Sequence, residues 1–273
     1  MKIFVPSDMD DEQALAETTH LAISAHQDDI EFMAYDGILK CFGSSENHFT
    51  AAIATNGAGS PRSGIYASFS DEEMQNVRIE EQKKAAIVGE YSAQVFLDFP
   101  SSAIKEKGNR EAIDSIKEVI KKTTPKVIYT HNLADKHDTH VGVVLKVITA
   151  LRELDYKVDA LYGCEVWRGL DWVCDDEKVL FDVAGRPNLE ASLLGVFDSQ
   201  ISGGKRYDLA VVGRRLANAT FGQSHGVDET TGVIYGMDLT PLIDDPNSSI
   251  DEYIKGYINR FSDDITDKIR RMI

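Results

Sequence analysis

Two short polar clusters contain the residue types that metal binding and proton transfer require. The first, His26 to Asp29, follows the apolar run 21–23 and supplies one imidazole and two carboxylates. The second, His137 to His140, lies shortly after the apolar run 127–129 and supplies two more imidazoles. A catalytic zinc usually takes three protein ligands and leaves one position for water. Two strand ends that both bring His and Asp therefore indicate one shared metal site, with a carboxylate left for proton transfer.

Apolar periodicity predicts the elements that position these clusters. Short apolar runs predict strands near 20–25, 49–55, 94–97, 126–131, 159–166 and 178–183. A 3.6-residue period predicts helices at about 30–42, 70–89, 109–122, 139–155, 188–196, 203–218 and 250–272. This alternation indicates an α/β fold, a Rossmann-like, doubly wound and mostly parallel sheet with helices on both faces. Such sheets bind ligands beyond the carboxyl ends of their strands, where both clusters fall.

Composition narrows the class of protein. A net charge of −16 argues against a general surface for nucleic acid or anionic membranes. The three cysteines include no Cys-x-x-Cys pair, which is typical of reduced, cytosolic thiols. No apolar run approaches the ~18 residues that a membrane helix requires, and the first residues lack the apolar stretch of a signal peptide. We therefore expect a cytoplasmic, soluble protein without nucleic-acid partners or membrane insertion; a homo-oligomer is left open.

The two clusters resemble the motifs of the LmbE-like (PIG-L) family of zinc-dependent N-deacetylases. Ala25 to Asp29 is similar to the family's Ala-His-Pro-Asp-Asp motif, with Gln27 in place of Pro. His137 to His140 is similar to its His-Pro-Asp-His motif, with Asp and Thr in place of Pro and Asp. The resemblance covers roughly residues 18–150. It implies one LmbE-like deacetylase domain over 1–273, with a core at about 18–200 and a C-terminal elaboration at about 200–273.

The resemblance also implies a role for each motif residue. His26, Asp29 and His140 would hold Zn²⁺, which fits the usual three-ligand catalytic site. Asp28 would take a proton from the attacking water, and His137 would stabilise the oxyanion or protonate the departing amine. The alternative for the two aspartates is helix N-capping, which needs no metal. The alternative for the two histidines is an ordinary surface pair.

Further residues are candidates for an outer layer of the site. Glu31 is expected to bond to a metal ligand or to the neighbouring loop. Because Thr139 stands where the family has Asp, we expect either Asp135 or Asp138 to orient His137. His131, at a strand end, is more readily explained as a satisfied core or rim histidine.

Three residues are candidates for substrate contacts. Arg78 lies in a stretch that looks like the family's Arg-x-x-Glu helix and could bond to sugar hydroxyls or phosphate. Trp167 follows a predicted strand and could stack on a sugar, although interior packing is the usual role of a tryptophan. His225 could close the pocket from the C-terminal part. The glycine-containing stretch 55–64 lacks the pattern of a phosphate loop and is expected to border the site instead.

The combined expectation is a hydrolase that acts on a small-molecule amino sugar. It would remove the N-acetyl group from an N-acetylglucosamine-type sugar or glycoconjugate and release acetate. An amidase acting on a thiol–sugar conjugate is a close variant. A non-catalytic sugar- or nucleotide-binding α/β protein is the alternative from another class.

Overall fold

Eight strands form a single sheet in the computed structural model, which describes residues 1–273. The strands are β1 (Lys2–Phe4), β2 (His20–Ser24), β3 (Phe49–Thr55), β4 (Ala93–Phe99), β5 (Val127–His131), β6 (Ala160–Cys164), β7 (Val179–Asp182) and β8 (Val233–Asp238). Their order across the sheet is β1-β4-β3-β2-β5-β6-β8-β7. The five strands from β4 to β6 in that order pair in parallel. At one edge β1 pairs antiparallel with β4, and on the other side β8 pairs antiparallel with β6 and with the edge strand β7. The predicted fold class, α/β with a mostly parallel sheet, is confirmed.

Twelve helices connect and cover the strands. They are α1 (Asp11–Ala16), α2 (Asp29–Met33), α3 (Tyr35–Cys41), α4 (Asp71–Val88), α5 (Ser101–Lys105), α6 (Arg110–Thr123), α7 (Asp138–Leu154), α8 (Pro187–Gly195), α9 (Asp198–Ile201), α10 (Tyr207–Phe221), α11 (Pro241–Asp244) and α12 (Ile250–Arg270). A capping box between Ser70 and Glu73 begins α4, because each residue's side chain bonds to the other's backbone. None of the helices combines the length and the hydropathy needed to cross a membrane.

The chain adds strands first on one side of β2 and later on the other side, beginning with β5. From β2 it adds β3 and then β4 on one side, and it later returns to place β5 and β6 on the other. Leu21 of β2 is in register with Thr50 of β3 and with Ile128 of β5, so these three strands end at the same edge of the sheet. Ligands of doubly wound sheets bind at such a switch point. The first site cluster follows β2, and the second follows β5.

The core consists of two apolar layers, one on each face of the sheet. Neighbouring residues of β2 alternate between them: Leu21 and Ile23 belong to one cluster, and Ala22 belongs to the other. Side chains of α6 and α7 cover the first face, and side chains of α2, α3 and α8 cover the second. This arrangement agrees with the period of two in a strand whose two faces are both buried.

Several elements differ from the sequence-based expectation. The short helices α1, α5, α9 and α11 were not predicted. The helix expected at about 30–42 is two helices, because Ala34 leaves helical geometry at φ −112°, ψ 21°. Strands β1 and β8 were not predicted. The second, Val233–Asp238, lies between β6 and β7, so the segment after residue 200 supplies an internal strand of the sheet. The single-domain boundaries themselves stay a prediction.

Helix α7 approaches α5 closely at Gly142. A Cβ atom at this position would lie 2.6 Å from the Ile104 carbonyl oxygen. The same oxygen accepts a hydrogen bond of 2.6 Å from the buried ammonium of Lys146. Any side chain at 142 must therefore move a backbone carbonyl that already has a partner.

We predict that Gly142→Ala lowers the free energy of unfolding by about 1–3 kcal/mol, the usual cost of overpacking. The matched control is Gly213→Ala in α10, where an added Cβ meets nothing within 4 Å. That change should raise stability by about 0.5–1 kcal/mol, because alanine is the better helix former. Chemical denaturation of both variants measures the difference. Equal or higher stability of Gly142→Ala would contradict the close approach.

Candidate active site

The two polar clusters meet at the carboxyl ends of β2 and β5. His26 lies in the turn that joins β2 to α2, and Asp29 is the first residue of α2. His131 is the last residue of β5, and His137 and His140 lie at the start of α7. Two overlapping groups bring their ligand atoms within 4.8 Å of one another: His26, His137 and His140 in one, Asp29, His131 and His140 in the other.

Three donor atoms form a nearly regular triangle. His26 Nδ1 lies 3.2 Å from Asp29 Oδ2 and 3.2 Å from His140 Nε2. The third side, from His140 Nε2 to Asp29 Oδ2, is 3.4 Å. Ligands about 2.0–2.1 Å from a tetrahedral zinc lie about 3.3 Å from each other. Two imidazoles and one carboxylate at these separations fit such an ion.

The Asp29 carboxylate has several polar contacts within the site. Its Oδ2 also accepts the backbone N–H of His26 at 2.7 Å. Burial by itself would raise the pKa of Asp29, but His140 and the hydrogen bond from His26 hold that pKa well below its usual range. Asp29 is therefore ionised at neutral pH despite being 2% exposed.

His131 belongs to the same group of side chains but has a different partner. Its Nε2 accepts the backbone N–H of Ala25 at 2.9 Å, so that lone pair is already used. The ring stacks on His140 with centroids 3.9 Å apart. Burial, reinforced by His140, holds the pKa of His131 well below its usual range, and the ring is neutral. His131 thus supports His140 from inside the protein.

Asp135 contacts His140, whereas it was expected to orient His137. Its Oδ1 lies 3.4 Å from His140 Nδ1, the nitrogen on the far side of the ring from the triangle. The same carboxylate accepts the backbone N–H of His137 at 2.9 Å and that of Trp167 at 3.1 Å. A carboxylate behind a histidine fixes the ring and its tautomer, as is common around metal sites.

A backbone group, and neither aspartate, orients the His137 side chain. The N–H of Thr139 donates to His137 Nδ1 at 3.3 Å, so the proton of the neutral ring is on Nε2. Asp138, the other expected partner, is exposed to solvent. Burial, together with His26 and His140, lowers the pKa of His137 to about 4. His137 therefore presents a neutral N–H donor at neutral pH.

Asp28 has an unusual backbone conformation. Its φ of 94° lies in the left-handed region, which few residues other than glycine adopt. Although Asp28 precedes α2, its side chain makes no capping hydrogen bond, so the capping explanation fails for this residue. Gln82 Oε1 accepts the Asp28 N–H at 3.3 Å and helps to hold the turn. Burial raises the pKa of the Asp28 carboxyl well above its usual range, and Arg78 opposes that rise only in part.

Arg78 holds the turn and the neighbouring loop together. Its Nη2 lies 3.6 Å from Asp28 Oδ1 and donates to the backbone oxygen of Gln27. Its Nη1 donates to the hydroxyl of Ser60, in the loop that follows β3. The guanidinium was expected to contact substrate. It lines the cavity, and both of its terminal nitrogens bond to the protein itself.

Glu31 bonds to neither a metal ligand nor the loop, contrary to expectation. Its Oε1 accepts from Gln82 Nε2 at 2.9 Å and from the Tyr91 hydroxyl at 2.7 Å. Burial raises the pKa of Glu31 to about 7. Since Gln82 also bonds to the Asp28 backbone, Glu31 supports the strained turn through that glutamine.

A cavity of about 750 Å³ opens above the triangle. Its lining includes His26, Asp28, Asp29 and His137, and three aromatic side chains, Phe32, Trp167 and Tyr207. The Tyr207 ring centre is 5.7 Å from that of Phe32 and 6.1 Å from that of Trp167. The expected placement of Trp167 at the pocket agrees with this lining. His225 lies in an exposed turn and does not line the cavity, so its expected contact with substrate is absent here.

Several lining residues had no signal in the sequence. Phe32, Lys105, Lys205, Tyr207 and Arg214 come from α2, α5, α10 and the segment before α10, far apart along the chain. Gln82 was likewise unmarked, since it is one polar residue among many on α4. Only folding brings these side chains to one cavity.

Comparison with known proteins agrees with this architecture. The family model of PIG-L, GlcNAc-PI de-N-acetylase, matches residues 21–151. None of the curated protein sequences matches the chain. A conserved protein of Thermus thermophilus superposes with a TM-score of 0.63 at 13% identity, over 85% of this chain and 99% of that one.

Two enzymes of known activity share the fold. The N,N′-diacetylchitobiose deacetylase of Pyrococcus horikoshii has a TM-score of 0.61 at 15% identity, over 86% of this chain and 88% of its own. The 4-carboxy-2-hydroxymuconate hydratase of Pseudomonas putida has a TM-score of 0.59 at 14% identity, over 81% and 96% respectively. At such identities the likeness shows the fold alone. The match shows a PIG-L (LmbE-like) domain over residues 21–151, the part of the chain that includes both motifs.

Proposed function

We propose that this protein is a zinc-dependent hydrolase that removes the N-acetyl group from an N-acetylglucosamine-type sugar or glycoconjugate. One observation carries the proposal. A triangle of two imidazoles and a carboxylate, with sides of 3.2 to 3.4 Å, lies at the floor of a cavity that Asp28 and His137 also line. The match of residues 21–151 to the PIG-L family model supports the same activity.

His26, Asp29 and His140 would hold the zinc. When bound, the ion would polarise the amide carbonyl and lower the pKa of a water molecule toward 7. The remaining chemistry falls to side chains that are not ligands. Amide hydrolysis needs a group that takes the proton of the attacking water and a group that stabilises the developing oxyanion.

Asp28 is suited to the proton transfer. Asp28 directly precedes Asp29 in the sequence. Its carboxylate lines the cavity but is not one of the three groups of the triangle. A raised pKa makes a carboxylate a stronger base, and it lets the acid formed return the proton to the departing amine. Arg78, 3.6 Å away, limits that rise and so helps to keep the ionised form available.

His137 is suited to the oxyanion. With Nδ1 accepting from Thr139, Nε2–H is a fixed, neutral donor. A neutral imidazole can donate a hydrogen bond to a carbonyl oxygen as charge develops on it, without adding a positive charge beside a metal. The aromatic rings of Trp167 and Tyr207 would provide apolar contact for the sugar.

A second candidate reaction comes from the fold likeness to a hydratase. Water activated at the same site could add to a carbon–carbon double bond of an unsaturated acid. Hydration would remove the absorbance of a conjugated double bond and would release no acetate. One absorbance assay and one acetate assay therefore distinguish the two reactions. A non-catalytic role is disfavoured because all five motif residues are present and lie together.

The first prediction concerns the metal. Purified protein should contain one equivalent of zinc, and chelation should abolish acetate release from N-acetylglucosamine conjugates. His140→Ala should lose the metal, because two donor atoms hold a catalytic zinc far less tightly than three. Elemental analysis measures the content, with His225→Ala as the matched control, since that histidine is exposed and outside the cavity. Full zinc content in His140→Ala would refute the ligand assignment.

The second prediction concerns the base. Asp28→Asn should retain zinc while turnover falls by ~10²-fold or more, the usual contribution of a positioned base. Asparagine tolerates a positive φ well, so this variant should fold normally. Asp138→Asn, which removes an exposed carboxylate of the second cluster, should behave as wild type. Wild-type turnover in Asp28→Asn would assign the proton transfer to another group.

The third prediction separates His137 from the ligands. His137→Ala should keep zinc and roughly keep KM, while kcat falls by ~10²–10³-fold, as for loss of an oxyanion donor. Metal content and steady-state kinetics together measure this. Loss of zinc would instead make His137 a ligand, which its place in the group of His26 and His140 would allow.

A further inference from the structure

The second half of α12 has an apolar face that the rest of the chain leaves exposed. The first half of this helix packs on the core through Ile250, Tyr253, Ile254 and Tyr257. Of the fifteen large apolar side chains that are exposed in this protein, six lie between residues 258 and 273: Ile258, Phe261, Ile265, Ile269, Met272 and Ile273. A concentration of exposed apolar side chains in one segment marks an interaction site.

The exposed side chains of the helix form one stripe, which consists of Ile258, Phe261, Ile265 and Ile269. They follow one another at intervals of three, four and four residues, which places them within about 80° of each other around the helix axis. Phe261 touches the Trp172 ring and is still 36% exposed, and Ile265 and Ile269 are 41% and 54% exposed. A stripe with this spacing is typical of a helix that packs along a second helix.

The charges of the same segment form two blocks. Three acidic residues come first and three basic residues follow: Asp263, Asp264 and Asp267, then Lys268, Arg270 and Arg271. Within the helix, Lys268 pairs with Asp264 at 2.6 Å and Arg270 pairs with Asp267 at 3.3 Å. These pairs are open to solvent and therefore weak, so the two blocks stay available to a partner.

An antiparallel copy of the same segment matches both the stripe and the charges. When Ile265 lies level with Ile269 of a second copy, Asp263 and Asp264 lie level with Arg271 and Arg270 of that copy. A two-fold axis then repeats each of these contacts. A parallel copy in the same register would instead place aspartate beside aspartate and arginine beside arginine, which disfavours that orientation.

A membrane surface fits the stripe less well than a second helix does. Helices that lie on membranes have lysine and arginine on their polar face and are attracted to anionic lipids. Here three aspartates lie beside the stripe, and the whole chain has a net charge of −16.

We propose that the second half of α12 binds the same segment of a second copy of this chain in antiparallel orientation, so that the protein forms a symmetric dimer. The overlap, residues 261–273, is about 20 Å long, which corresponds to an interface at the small end of the usual range. Association should therefore depend on concentration in the micromolar range. None of the four stripe residues lines the cavity, so the outcome is independent of the proposed function.

Sedimentation equilibrium of the full chain, from micromolar to near-millimolar concentration, tests the dimer. The mass should rise with concentration toward twice that of the chain. Ile265→Asp should raise the dissociation constant at least ~10-fold, because it places a carboxylate in the apolar contact. The matched control is Ile87→Asp, which changes an equally exposed isoleucine of α4 and should leave the dissociation constant unchanged. Circular dichroism checks that both variants keep their helices.

Two results of this experiment would overturn the proposal. One is a monomer at every concentration, whether or not the chain then binds vesicles of phosphatidylcholine and phosphatidylserine through Ile265. The other is a dimer whose dissociation constant is the same in Ile265→Asp as in the wild type.

Charge reversal tests the antiparallel orientation. Asp263→Lys with Asp264→Lys makes the first block basic, and Arg270→Asp with Arg271→Asp makes the second block acidic. Each double variant alone should dissociate at least ~10-fold more readily than the wild type, because like charges then meet in its dimer. An equimolar mixture of the two should regain the wild-type association, because every one of these pairs is again of opposite sign. Wild-type association of either double variant alone, or no recovery in the mixture, would reject the antiparallel pairing.

Discussion

The site depends on one buried carboxylate whose charge must be compensated. Asp29 is almost fully enclosed, and burying an unpaired carboxylate costs several kcal/mol. His26 and His140 reach the same oxygen from the ends of two different strands. The compensation depends on the parallel pairing of β2 with β5, which places their carboxyl ends side by side. It also makes a cation between the three side chains favourable. Asp135 in turn contacts the other nitrogen of the His140 ring, on the side away from Asp29.

The turn after β2 stores strain that its neighbours maintain. A left-handed aspartate costs of order 1–3 kcal/mol, and it persists because other contacts determine the backbone there. Gln82 binds the Asp28 N–H, and Arg78 binds the preceding carbonyl. The strain turns the Asp28 carboxylate toward the cavity, whereas an ordinary helix start would use it as a cap. Helix α4 supplies both supporting side chains, so it acts as a scaffold for the proposed base.

The two ends of the cavity differ in charge. Carboxylates and imidazoles form the floor, and lysines and arginines line the wall. The lysines and arginines of the wall are opposite in charge to the chain as a whole, which has a net charge of −16.

The sequence by itself determined the fold class, six of the eight strands and the residues of both clusters. Apolar periodicity and motifs at strand ends are local patterns, so they can be recognised without the tertiary structure. The sequence did not determine which side chains of the site contact each other. Either Asp135 or Asp138 was expected to orient His137, but Asp135 contacts His140. The backbone N–H of Thr139 bonds to His137 instead, and that bond depends on loop geometry. His225 was placed in the pocket and lies outside it. The sequence did not predict the basic side chains of the cavity, because residues such as Lys105 and Lys205 lie a hundred residues apart and line one cavity only in the folded chain.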